Sequence, residues 1–262
     1  MQMSTEDLTD LQRAKQVLEN PILAVKITNI IGSPIEKGMD LLPDKWSEAV
    51  SHATKKALDT ALDVALLTLD KDSGGQAQNI WHKVAVGVSG GVGGAAGILG
   101  LIVELPISTG IMLRSIADIA RGQGEQLNLP EVKLACIEVF ALGGTTSKDD
   151  ASESGYFAVR AALAKAVSEA AEFIAERGIA REGAPALVRL VSQLAERFGI
   201  TVSEKVAAQA IPAIGAVGGA LINLLFIDHF QDMARGHFSV RRLERKYDPA
   251  TVKAAYLSLP NK

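Results

Sequence analysis

Residues 86–106 read VGVSGGVGGAAGILGLIVELP, with seven glycines and one charged side chain, Glu104. Three incompatible readings fit this stretch. Gly87-Val88-Ser89-Gly90-Gly91 spells the G-x-S-x-G of a hydrolase nucleophile elbow, which needs a strand before the serine and a helix after it. Gly91-Val92-Gly93-Gly94-Ala95-Ala96 spells a G-x-G-x-x-A dinucleotide loop, which needs a strand-helix-strand unit. The third reading is helical. Gly87, Gly90, Gly94 and Gly97 recur three or four apart, as do Gly93, Gly97 and Gly100, so they share a face that another backbone can approach closely. No segment of the chain alternates at period two for long and no strand-helix rhythm appears, so both sheet-dependent readings fail. The stretch therefore reads as a packing surface, with Ser89 dispensable. Each helical glycine costs on the order of 1 kcal/mol relative to alanine, which close packing must offset, and Gly94→Leu is expected to be strongly destabilising.

Working outward, the 262 residues suffice for one large domain with a sizeable core. The composition is 48% hydrophobic but only 5% aromatic, which points to a core of Ala, Leu, Ile, Val and Gly. The expected fold is all-α, a multi-helix bundle with closely packed glycine-rich central helices. Residues 5–19 form a helix ending at Asn20-Pro21, and residues 1–42 are set apart as an N-terminal helical extension before a helical domain over 43–262. A long amphipathic helix runs from Asp44 to about Asp70, and the helix after Pro106 ends with Gly122 as its cap. Residues 130–144 are apolar nearly all round and read as buried. The polar stretch TTSKDDASESG, 145–155, is a loop. Helices follow at 155–177 and 185–198, then a second small-residue region from Glu204 to Gly236, then HFSVRRLERKY, and a last helix capped by Asp248 with Pro249 first. Net charge of −3 offers no electrostatic case for a nucleic-acid partner. Cys136 is a small buried hydrophobe, His52 and His82 are ordinary packing or surface residues, and no cofactor or metal is implied. The polar, acidic N-terminus is not a secretion leader, so a cytoplasmic location is expected.

Residues 84–103 and 206–227 carry no charge and reach the length of a membrane span, although the glycines of the first and Gln209, Pro212 and Asn223 of the second weaken their preference for lipid. Buried core is the leading reading, and docking on or entry into a bilayer the next. Polar residues inside apolar helices are the site candidates: Glu104, Arg114, Asp118, Glu138, Asn223, Asp228, His229 and Asp232. Burying charge is costly unless it is paired, so these are expected to meet one another in an ion-pair network. The segment SVRRLERKY sets Arg241, Arg242, Arg245 and Lys246 opposite Val240, Leu243 and Tyr247, which gives a membrane-facing candidate for anionic headgroups alongside the plainer reading of a solvated face. A short repeat adds one more expectation. SIADIARG (115–122) and HFQDMARG (229–236) both end in Asp-x-Ala-Arg-Gly, and if they are paired halves, Arg114 meets Asp228 in a salt bridge. The competing reading is a shared helix-ending pattern, with Asp paired to Arg at i+3 and a glycine cap.

Two blocks, ELPISTGIMLRSIADIARGQGEQLNLPEVKLACIEVFALGG (104–144) and IPAIGAVGGALINLLFIDHFQDMARGHFSVRRLER (211–245), resemble the EcsC family. With the connecting helices, the resemblance covers most of residues 45–247. The family takes its name from a bacterial protein encoded with an ABC transporter. The resemblance implies a cytoplasmic or membrane-peripheral helical protein, peripheral to the inner membrane, and with the basic segment it makes anionic lipid or a membrane protein complex the expected partner. It transfers no catalytic residue, and suggests only that the polar positions of the two blocks form a centre. The expected function is thus a non-enzymatic lipid-binding or interaction protein linked to membrane transport. The alternative is a hydrolase using Glu104, Glu138, Asp228 and His229 on a lipid-like substrate.

Overall fold

A computed structural model describes residues 3–19, 23–32, 35–42, 44–69, 97–143, 155–178, 184–211 and 215–260. They form ten helices and no strand: α1 Thr5–Glu19, α2 Leu23–Ile31, α3 Glu36–Met39, α4 Trp46–Thr68, α5 Gly97–Gly122, α6 Pro130–Leu142, α7 Gly155–Arg177, α8 Pro185–Ala210, α9 Gly215–Tyr247 and α10 Pro249–Ser258. The all-α bundle is as the sequence suggests. Residues 86–96, with Ser89, Gly94 and both competing glycine motifs, lie outside the described residues.

The hub of the bundle is α6. Val132 to Leu142 are all buried, and α4, α5, α7, α8 and α9 all pack against it. A helix apolar on every side has no water-facing stripe and is stable only when surrounded. It contains no glycine. Three described glycines of other segments make close approaches. A Cβ on Gly38 would fall 2.0 Å from the Ala207 carbonyl oxygen, one on Gly143 2.3 Å from His229 Nε2, and one on Gly236 2.7 Å from Leu18 Cγ, whereas Gly110 of α5 has nothing within 4 Å.

Aromatics matter more than their number suggests. Phe140 of α6, Phe198 of α8 and Phe226 and Phe230 of α9 form one cluster, with ring centroids 5.1 to 6.1 Å apart. All four are buried, each adding roughly 1.5–3 kcal/mol of apolar transfer, and the tilted and edge-on rings add pairwise attraction.

Several boundaries differ from the sequence reading. α8 runs on through Gly199 to Ala210, and α9 joins the small-residue region to the basic segment in one helix of 33 residues. The cap after α5 is Gly124, at φ +79, not Gly122. Glu125 N–H donates to Ala120 O at 3.1 Å and Gly124 N–H to Arg121 O at 3.0 Å, the paired bonds of a Schellman ending. At α10 the expected cap is present, Thr251 N–H donating to Asp248 Oδ1 at 2.9 Å. α1 packs into the bundle. Leu11, Ala14 and Leu18 of α1 are buried, and Lys15 donates to the Tyr256 and Leu259 carbonyls at 2.9 and 2.6 Å.

Candidate functional site

α5 and α9 lie side by side and run in the same direction. Ser115 of α5 accepts from Gln231 of α9 at 2.9 Å, and further along both chains Gln123 accepts from Arg242 at 3.0 Å. Their apolar N-terminal halves therefore share one end of the bundle and their charged C-terminal ends share the other.

At the charged end, polar side chains from four elements converge. Arg241 and Arg245 of α9 both bind the buried carboxylate of Glu125, Arg241 at 2.8 Å. Arg160 of α7 holds Glu244 of α9 at 2.7 and 3.1 Å. It also donates to the Tyr156 hydroxyl at 3.3 Å, which leaves the hydroxyl proton free to point at His237 Nδ1, 3.1 Å away. His237 is fully buried, and its Nε2 has no partner among the described residues. Burial first, then the neighbouring Arg160 and Arg241 cations, holds its pKa well below the usual value. Burial raises the pKa of the Glu138 carboxyl against the pull of the same two guanidiniums. Beside this cluster, Asp7 of α1 gathers Lys246 at 2.7 Å, the Tyr247 hydroxyl at 2.6 Å and Arg242 at 3.4 Å. Those contacts, Lys246 foremost, hold its carboxyl far below the ordinary carboxylate range.

Toward the apolar end, Lys205 of α8 donates to both carboxylate oxygens of Glu104 at 2.9 and 3.0 Å. Lys205 is 1% exposed and Glu104 29%, and the ammonium also sits 4.7 Å from the Phe226 ring centroid. Around this pair, Val103 and Leu224 stand 61% and 54% exposed. Within α5, Gly100–Gly122 is long and apolar enough to cross a membrane by length and composition.

The sequence candidates do not come together. Glu104 meets Lys205, and Asn223 accepts from Gln209 at 3.4 Å. Arg114 donates to Thr68 Oγ1 at 3.2 Å, and Asp228 is exposed on the outer stripe of α9 with Leu224 and Arg235, so the expected Arg114–Asp228 bridge is absent. Each Asp of the repeat instead pairs with the Arg three residues on, Asp118 with Arg121 at 2.8 Å and Asp232 with Arg235 at 2.7 Å. The i+3 pairing of the helix-ending version therefore holds, and only its glycine cap fails, since Gly236 lies mid-helix against Leu18. His229 is buried against Gly143, and burial depresses its pKa to about 4. Only Glu138 belongs to the charged cluster. Arg241, Arg242, Arg245 and Lys246 present no free cationic face, because Glu125, Asp7 and Asp10 already pair with them. Among the described residues, no three His, Cys, Asp or Glu side chains are grouped to hold a metal. No periodicity marks Lys205, Arg160, His237, Glu125 or Glu244, whose partners in the cluster include residues far away in the chain.

The model of the EcsC protein family matches residues 5–243. The chain belongs to the EcsC family. The family match begins at the start of α1, so it takes in the described helices of the 1–42 segment along with the two blocks that carried the resemblance. Neither the curated proteins nor the solved structures include a match to this EcsC-family chain.

Proposed function

We propose that this EcsC-family chain is a non-enzymatic, membrane-peripheral protein that docks the apolar end of its bundle on a lipid bilayer, at the cytoplasmic face of the inner membrane. One observation carries the reading: α5 and α9 run parallel, so their charge-poor halves lie at the same end, where Val103 and Leu224 face outward. Outward-facing Val103 and Leu224 beside the charge-poor halves of α5 and α9 suit a contact between water and lipid. The link to membrane transport suggested by the family resemblance belongs to the same reading, with a membrane protein complex as an additional partner. A hydrolase reading has less support, because Glu104, Glu138, Asp228 and His229 occupy separate places.

The test is vesicle flotation with the full chain. Wild type is expected to float with phosphatidylcholine vesicles, and Val103→Glu combined with Leu224→Glu to remain at the bottom while keeping its helical content. Wild type that stays in the dense fraction at every lipid concentration removes the reading.

A further inference from the structure

α5 contains a proline, Pro106, ten residues into the helix. Proline has no N–H to donate, so the carbonyl of Ile102 loses its ladder bond and the ring crowds that turn. The hydroxyls that follow do not replace the missing bond. Ser108 and Thr109 both donate to the Leu105 carbonyl, at 3.1 and 2.7 Å. Hydroxyl bonds of this kind to the preceding turn favour bending, and a proline is the commonest cause of a kink. The helix is therefore weakest around residues 102–106, between an arm, residues 97–105, and a stem, residues 107–122.

The arm carries the acid of the apolar end. Glu104 is bound there by Lys205, whose ammonium also faces Phe226, so one cation ties the arm to both α8 and α9. Leu101 and Leu105 are buried and hold the same arm, while Val103 already faces outward. Residues 97–103 of the arm contain no charge, so Glu104 is its one ionisable side chain.

We propose that the Glu104–Lys205 ion pair is a latch on a proline-bounded arm of α5, and that its release makes the arm available to a lipid bilayer. The inference rests on the membrane reading above and names the element that engages the bilayer. The latch sets the closed population of a two-state arm, and a bilayer that binds the open form draws the equilibrium toward it. On release Glu104 stays on the arm, two residues before Pro106, so its carboxylate can remain at the water-lipid boundary while the uncharged residues 97–103 lie beyond it.

The test combines Glu104→Gln with Lys205→Met, which removes both charges and leaves no unpaired buried ion. In solution without lipid, amide hydrogen exchange of residues 97–105 is expected to rise at least tenfold, with residues 107–122 unchanged. Flotation with phosphatidylcholine vesicles is expected to rise several-fold. Pro106→Ala restores a donor for the Ile102 carbonyl and is expected to act the opposite way, with slower exchange in the arm and weaker flotation. Unchanged exchange of the arm in both variants overturns the latch. Faster exchange without stronger flotation overturns the arm's role at the bilayer, and flotation of the wild type then tells whether the membrane reading has failed with it. If the double variant does not fold, Pro106→Ala decides alone, and no effect of that change on exchange overturns the proposal.

Discussion

Single buried groups set the pH response of this fold. His229 titrates near 4 in the folded chain, because burial penalises its cation. The folded state thus binds fewer protons than the unfolded one between that value and about 6.5, and stability falls as the pH drops through this window. The displacement corresponds to about 3 kcal/mol, and His237 acts in the same direction between its two guanidiniums. Urea unfolding followed from pH 7 to pH 4 is expected to lose more stability in the wild type than in His229→Gln, by up to about 3 kcal/mol; parallel curves would refute the assignment. Glu138 has the opposite sign. Its folded pKa is raised by burial, so the folded state keeps a proton that the unfolded chain gives up, and stability falls as the pH rises past the ordinary glutamate value. Glu138→Gln should therefore raise the melting temperature at pH 8 by a few degrees and leave it unchanged at pH 4. A gain of equal size at both pH values would point to packing instead of proton linkage.

At the scale of elements, glycines divide by what stands next to them. Gly38 of α3 has the Ala207 carbonyl where a Cβ would go, so α3 and α8 touch through backbone, and no rotamer change relieves the clash. Gly38→Ala is expected to cost about 1–3 kcal/mol or more. Gly110 of α5 has open space at the same position, so Gly110→Ala should stabilise by about 0.5–1 kcal/mol through helix propensity alone. Thermal melts of the two variants moving in the same direction would contradict this division. The contrast also shows what the sequence could and could not reveal about the fold. Helix positions were legible because apolar period and caps are local: Asn20-Pro21 after α1, the unbroken apolar run of α6 and Asp248 before α10 all read correctly. The close approaches at Gly38, Gly143 and Gly236 were not, because spacing along one helix says nothing of what packs against it, and the glycine run 87–94 lies outside the described residues. The site was less legible still. Arg160 and Glu244, or Lys205 and Glu104, are joined only once the bundle closes, and no window of sequence contains both partners. Of the eight polar candidates, Glu138 alone fell in the charged cluster, since it was the one set in a helix apolar on every side.

For the molecule as a whole, the separation of an apolar end from a charged end decides what kind of lipid contact is available. The sequence places four basic residues on one segment of α9, and a free cationic face of that kind would bind anionic headgroups in a salt-sensitive way. The fold removes that option. Arg241 and Arg245 bind Glu125, while Arg242 and Lys246 bind Asp7, with Asp10 adding to Arg242. Two of these acids belong to α1, so the N-terminal helix is held to α9 by the same charges that would otherwise face a membrane. An ion already paired at short range adds little to a surface potential, and the net charge of −3 is slightly repelled by an anionic bilayer. Docking through the apolar end therefore predicts weak dependence on lipid charge. Flotation should be similar with pure phosphatidylcholine and with mixtures containing phosphatidylglycerol, and should change little between about 50 and 300 mM salt, a range over which screened attraction collapses. Replacing Arg241, Arg242 and Arg245 with Gln should lower the melting temperature, by leaving Glu125 and Asp7 with fewer partners, and should leave flotation of the folded fraction unchanged. Binding that requires anionic lipid, fades with salt and is lost in the triple variant would show that the basic segment opens to meet the membrane, and would move the contact to the opposite end of the bundle.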